Sequence, residues 1–161
     1  MYKSFVLIAA MVLISCKTTT YYIVRHAEKE TTNTMASDVP LSAAGKQRAE
    51  ALKEMLKDEN IKHIYSTNFI RTKSTAQPLA DSIHVPIETY DPKDSTFINK
   101  LKATDGNVLI VGHSNTVDDL VNGLSGKKEI NGDLPDAEYG DLFVVKKKGN
   151  HFSFEKKHFG E

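Results

Sequence analysis

The sequence predicts an α/β domain, specifically a three-layer αβα sandwich with a mainly parallel central sheet and antiparallel strands at its C-terminal end. Three observations predict it. From Thr20 onward, short β-rich runs alternate with longer stretches whose apolar residues recur at helical spacing. The first run, Tyr21-Tyr22-Ile23-Val24, is aromatic and β-branched and stops abruptly in charge at Arg25, as a buried parallel strand does at its carboxyl edge. Near the end, Leu142 to Val145 and Phe152 to Phe154 flank Gly149-Asn150, a turn that joins antiparallel strands.

The elements follow in order. After the first strand comes a polar loop, Lys29 to Pro40, and then a helix opening in Leu41-Ser42-Ala43-Ala44-Gly45. Ser42 is placed to cap its free amides, and Ala49, Leu52, Met55 and Leu56 repeat at helical spacing to about Asp58. Ile61 to Tyr65 reads as a strand. A helix from about Asn68 to Ser82 follows, with Ile70, Ala76, Leu79 and Ala80 toward the sheet and Pro78 as a possible point of kinking. A short Val85-Pro86-Ile87 strand, an Asp91-Pro92 turn and a modest helix around Ser95 to Lys102 lead to the buried strand Asn107 to Val111. That strand ends at Gly112-His113, and a helix from Thr116 to about Leu124 comes next. No internal repeat or linker suggests a second domain.

Bulk properties narrow the partners. The chain has 161 residues with 21 basic and 21 acidic side chains, so no global field draws it to nucleic acid or to an anionic surface. The Lys146, Lys147, Lys148 run reads as the solvated end of a hairpin, with no functional meaning. The beginning of the chain is unlike the rest. Lys3 precedes an apolar stretch from Phe5 to Ile14, too short to span a bilayer, and Ser15-Cys16 follows it. This resembles the lipobox of bacterial lipoproteins. The resemblance implies a signal peptide over residues 1–15, acylation of Cys16, a tether over 16–19 (Lys17 to Thr20 leading into the fold), and a domain over 20–161. The expected address is the bacterial cell envelope, outside the cytoplasm, with the outer membrane favoured because Lys17 is no clear inner-membrane retention signal. Cys16 is the only cysteine, so no intramolecular disulfide can form.

The chemistry-bearing residues sit at strand ends. His26 and His113 each lie just past the end of an expected buried strand, where open parallel sheets bind ligands. Arg25 adjoins the first histidine, and Arg71 lies near the start of the helix after the second strand. Two guanidiniums and an imidazole donor would suit a phosphoryl group, leaving one face open to attack. Ser114 would cap the following helix or donate to phosphate. His63, His84, His151 and His158 read as surface or structural histidines.

Four segments in order, Arg25-His26-Ala27-Glu28, Leu41 to Ala49, Ser66 through Arg71 to Ala76, and Val111-Gly112-His113-Ser114, resemble the histidine phosphatase superfamily. The likeness is to its phosphoglycerate-mutase-like branch, and most nearly to short members such as the phosphohistidine phosphatases, over roughly residues 20 to 125. It implies that His26 is phosphorylated, that Arg25, Arg71 and His113 hold the phosphoryl group, and that neither metal nor cofactor is required. The proton donor is less defined: Asp91 is the first choice, and Glu28 could orient Arg25 or lie beside the leaving group.

The expected function is hydrolysis of phosphomonoesters or phosphohistidine in a small substrate or phosphopeptide. Alternatives are a non-catalytic phosphate-binding module, an envelope glycan phosphatase or mutase-like enzyme, and an anchored structural protein with an incidental pocket. A serine hydrolase is disfavoured, because Gly112-His113-Ser114-Asn115 lacks the Gly-x-Ser-x-Gly elbow. A metal hydrolase is disfavoured because His-x-x-x-His spacing is missing and the histidines have cationic neighbours.

Overall fold

The computed structural model describes residues 17–32 and 38–160. The expected signal peptide and Cys16 lie outside the described residues. Six strands form one sheet in the order β3-β2-β4-β1-β5-β6, where β1 is Thr18–Arg25, β2 Ile61–Ser66, β3 Ile87–Thr89, β4 Asn107–Gly112, β5 Asp141–Lys148 and β6 His151–His158. The first four in that order are mutually parallel, and β5 and β6 are antiparallel, as the sequence predicted. The helices α1 (Ala43–Leu56), α2 (Ile70–Ile83), α3 (Phe97–Ala103) and α4 (Val117–Ser125) complete three layers.

Strand alternation divides the core into two. Tyr21, Ile23, Val108, Ile110, Phe143 and Val145 pack with residues of α3 and α4. Tyr22, Val24, Leu109, Val111, Leu142 and Val144 face the other way, against Leu52 and Leu56 of α1 and Ala76 and Leu79 of α2. Because β1 and β4 are covered on both faces, their central residues, Tyr21 to Val24 and Val108 to Val111, form unbroken runs of aromatic and aliphatic side chains. Each fully buried leucine or isoleucine contributes roughly 1.5–3 kcal/mol.

This layering positions a site. The chain leaves β1 toward the α1–α2 layer and leaves β4 toward the α3–α4 layer, yet β1 and β4 are neighbours. A crevice therefore opens beyond their carboxyl ends, the usual ligand position in such sheets.

Ser42 caps α1, its hydroxyl accepting from Gly45 N at 3.1 Å. Gly45 is required by packing: a Cβ there would overlap the Glu28 carbonyl oxygen. Pro78 is accommodated inside α2 with the loss of one backbone bond, and the helix continues to Ile83.

Several expectations need correction. Thr18 to Thr20, assigned to a tether, are part of β1, because they pair with Lys148 to Lys146 of β5. The lysine run does end the β5–β6 hairpin, as expected, but it is itself strand, and β5 and β6 are longer than expected. The third strand is Ile87–Thr89, displaced from Val85, since His84 ends α2 in a left-handed conformation (φ 56°) and Pro86 has no amide to pair. Met55 and Ile70 are exposed, Ile70 because it opens α2 at the edge of the crevice rather than under the sheet.

Candidate active site

His26 follows the last residue of β1, and its amide donates to Gly112 O of β4 at 2.9 Å, which fastens it at the crevice. Its ring is buried, and Nδ1 lies 2.7 Å from the Ala27 carbonyl oxygen. A carbonyl only accepts, so Nδ1 carries the proton and the Nε2 lone pair is left for another partner. Burial, followed by the positive charges of Arg71 and Arg25, pushes the ring down to about 3, against an opposing effect of the Ala27 carbonyl. At neutral pH this imidazole is a neutral base.

His113, beyond the end of β4, stands with its ring centroid 5.5 Å from that of His26. Arg71 Nη2 is 3.3 Å from its Nδ1, and Thr67 Oγ1 is 2.8 Å from its Nε2. A guanidinium only donates, so Nδ1 accepts and Nε2–H donates to Thr67. Thr67 in turn donates to Thr72 Oγ1 at 3.0 Å, whose own proton goes to backbone carbonyls. Burial and the two arginines hold His113 near 4, so it too is neutral.

The two arginines are fixed from behind. Arg25, buried, directs Nη1 to the carbonyls of Pro135, Asp136 and Glu138 at 2.9, 3.1 and 3.2 Å, and its guanidinium lies 4.4 Å over the Tyr139 ring. Arg71 lies 4.4 Å over the Phe69 ring. Stacking of this kind sets the plane of a guanidinium while leaving edge donors free. Nε of both arginines is buried without a protein partner, the unmet donor capacity expected of an anion site. Thr75 ties the parts together: its hydroxyl accepts from Ala27 N at 2.9 Å and donates to Arg71 O at 2.8 Å.

Arg25, His26, Arg71, His113 and Ser114 thus line one hollow of about 370 Å³, together with Lys29, Phe69 and Asp136 among others. The volume suits a phosphate ester of modest size. A larger hollow of about 600 Å³ between α2 and β3, lined by Lys73, Gln77, Asp81 and His84, lacks any such convergence of cations on a neutral imidazole. Ser114 lines the pocket, but Thr116 rather than Ser114 receives the His113 amide, at 2.9 Å, ahead of α4.

Both expected acids lie elsewhere. Asp91 is exposed and accepts from Lys93 N at 2.9 Å, which makes it a turn former. Glu28 is turned toward α1, where both carboxylate oxygens meet Arg48 Nε at 2.8 and 3.0 Å. Burial pushes its carboxyl up, but the Arg48 hydrogen bonds and charge outweigh this, and the net shift is downward, wrong for a proton donor at neutral pH.

The carboxylates nearest the cations were not identified from the sequence. Asp136 lines the pocket with Oδ1 3.6 Å from Arg25 Nη2 and a fully exposed side chain. Asp38 is 3.6 Å from Arg71 Nη1 and accepts from Ile70 N at 2.9 Å, closing the start of α2. Thr67, Phe69 and Tyr139 were likewise missed. The one available signal for Asp136 and Tyr139 was the long stretch between Leu124 and Leu142 with no strong periodicity, since long irregular loops in small domains commonly serve a site.

Residues 21–92 match the histidine phosphatase superfamily (branch 1). A curated relative, a probable phosphoglycerate mutase GpmB from Citrobacter koseri, is 31% identical over 129 residues. That alignment takes in 73% of this chain and 54% of the relative, so the chain spans about half the length of the curated protein it matches. Among solved structures, the protein histidine phosphatase SixA complexed with tungstate superimposes with a TM-score of 0.68 at 17% identity, covering 86% of this chain and 96% of that one. A mycobacterial glucosyl-3-phosphoglycerate phosphatase gives a TM-score of 0.64 at 14% identity, covering 88% and 98%. At these identities the superpositions show a shared fold.

Proposed function

We propose that this chain is a member of the histidine phosphatase superfamily, whose model matches residues 21–92, and that it hydrolyses phosphomonoesters or phosphohistidine through a covalent phosphoryl intermediate on His26. One observation carries the reading. The Nε2 lone pair of a buried, neutral imidazole is uncommitted because Nδ1–H is spent on the Ala27 carbonyl, and two guanidiniums and a second imidazole line the same pocket.

The reaction follows from that arrangement. His26 Nε2 attacks phosphorus in line with the leaving oxygen or nitrogen. Arg25 and Arg71 receive charge on the equatorial oxygens, while His113, whose one N–H goes to Thr67, holds the Arg71 guanidinium through Nδ1; because these groups are held in place beforehand they need no reorganisation. The bond to the leaving group breaks with its electron pair, which takes up a proton, and water then attacks the phosphohistidine to release phosphate and restore the lone pair. Removing one preset donor of this kind costs about 10²–10³ in rate.

The shortage of acid narrows the substrate. Asp136, fully exposed and paired with Arg25, is the carboxylate that lines the pocket among the described residues, and no buried protonated carboxyl faces it. That favours leaving groups needing little protonation, such as an imidazole protonated beforehand or a phenol. A phosphohistidine peptide and para-nitrophenyl phosphate should therefore turn over much faster than glycerol phosphate. The address we propose is the bacterial envelope, with acylated Cys16 as anchor, supported by the Ser15-Cys16 sequence after an apolar stretch. Metabolic labelling with a palmitate analogue tests it, and an unlabelled wild-type chain removes the anchor.

The test of the chemistry is His26→Ala. It should abolish release of phosphate from para-nitrophenyl phosphate while the circular dichroism spectrum is kept, and the wild type quenched in mid-reaction should carry acid-labile, alkali-stable phosphate on His26. Unchanged turnover in the variant would falsify the mechanism.

A further inference from the structure

The pocket occupies one end of the sheet, and the opposite end collects charge that hydrolysis does not use. β1 begins there at Thr18, and Lys17 just before it reaches Asp105 ahead of β4, Nζ to Oδ2 at 2.7 Å. β5 finishes there, its Lys146, Lys147 and Lys148 in register with Thr20, Thr19 and Thr18. Lys147 Nζ donates at 2.6 Å to the carbonyl of Lys102 in the last turn of α3. The Lys62 side chain, at the start of β2, lies against Gly106. Segments remote in sequence thus bring six lysines to one rim, and three carboxylates, Asp58, Glu59 and Asp105, interrupt them. The balance of 21 charges of each sign over the chain conceals this local surplus.

A lone run of three lysines is ordinarily solvated surface. Here it is joined by cations from three other segments, and by Phe152, a partly exposed ring that pairs across the hairpin with Lys147 and lies 5.9 Å under Lys102 Nζ. The rim is also where the chain arrives from Cys16, whose acylation is proposed above. Cations and an aromatic ring at the end of a domain that follows a lipid anchor are what an anionic bilayer surface attracts.

The geometry points to this basic rim as a docking surface for an anionic phospholipid bilayer, holding the phosphate pocket on the side away from the lipid. β1 has eight residues at ~3.3 Å each, so the pocket is carried about 25 Å from the docked rim, open to substrates in the aqueous phase. The inference rests on the membrane address proposed above and extends it from an attachment point to an orientation.

The chain contains no tryptophan, so one introduced tryptophan reports position. Asn150→Trp marks the turn between β5 and β6 at the rim, and Lys93→Trp marks an exposed turn at the pocket end. The full chain is mixed with phosphatidylcholine vesicles, with and without about a quarter phosphatidylglycerol, carrying bromine-labelled lipid as quencher. Fluorescence at position 150 should shift to the blue and be quenched on the anionic vesicles, reverse in high salt, and stay unquenched at position 93. Each lysine near an anionic surface strengthens attraction roughly fivefold, so replacing Lys146, Lys147 and Lys148 together by Gln should lower the docked population about a hundredfold. Equal quenching on neutral vesicles, quenching at 93 instead of 150, an unchanged triple variant, or equally tight binding to single-stranded DNA overturns the proposal. Hydrolysis of para-nitrophenyl phosphate by the same variants should match the wild type. Loss of docking with hydrolysis intact therefore removes the orientation alone, and absence of hydrolysis from the wild type removes the catalytic reading alone.

Discussion

At the scale of single residues, the site depends on how few hydrogen bonds each imidazole has to spare. Thr67 accepts from His113 Nε2 and thereby keeps Nδ1 toward Arg71. Thr67→Val should lower kcat/KM about tenfold while Thr67→Ser keeps most of it, because only the hydroxyl fixes the tautomer. If both variants match the wild type in steady-state kinetics, the tautomer argument is wrong. Arg71→Lys keeps the charge but loses the planar fork and the contact with Phe69, and kcat should fall about 10²-fold. Arg25, His26 and His113 were legible because each sits where a buried run of sequence stops, and Arg71 because it lies in the Ser66 to Ala76 segment that carries the family resemblance. The acids were not, because a carboxylate's role depends on which cation faces it: Glu28 is taken by Arg48, 20 positions along the chain and beyond what local reading reaches.

At the scale of elements, turn chemistry and close approach decide how the crevice is framed. Gly45 lets α1 lie against the Glu28 carbonyl, and Ser42 N donates to the same oxygen at 2.9 Å. Gly45→Ala should force α1 away from the loop that carries His26 and destabilise the fold by about 2 kcal/mol, lowering Tm by roughly 4–8 °C in a thermal melt. An unchanged Tm means that the helix yields without strain. Helix and strand periodicity located all ten elements, yet β3 was displaced and β5 and β6 were shortened in the reading. Charged residues hid the strand ends: Lys146 to Lys148 in β5 and Glu155 to Lys157 in β6 break the apolar pattern, while their backbones continue the ladders.

At the scale of the whole molecule, two neutral histidines enclosed by cations make stability depend on pH. Both rings are depressed, to about 3 and about 4, from 6.5. Below pH 6.5 the unfolded chain therefore binds protons that the folded chain refuses, so stability should fall progressively as pH drops from about 6.5 toward 3. Denaturant titrations across that range should show a falling midpoint, with a smaller slope in His26→Ala; equal slopes would contradict the depressed values. For the same reason kcat/KM, corrected for ionisation of the substrate phosphate, should hold level down to about pH 4.

The sequence by itself determined the alternation of strands and helices, the sheet-end positions of His26 and His113, and the neighbouring arginines, because periodicity and the abrupt ends of apolar runs are local properties of the chain. Tertiary structure alone decided which cation each carboxylate meets, which ring lies on each guanidinium, and that six scattered lysines share one rim. Those are consequences of a strand order that sets β4 beside β1 and β5 beyond it, and strand order is fixed by packing between segments far apart in the chain.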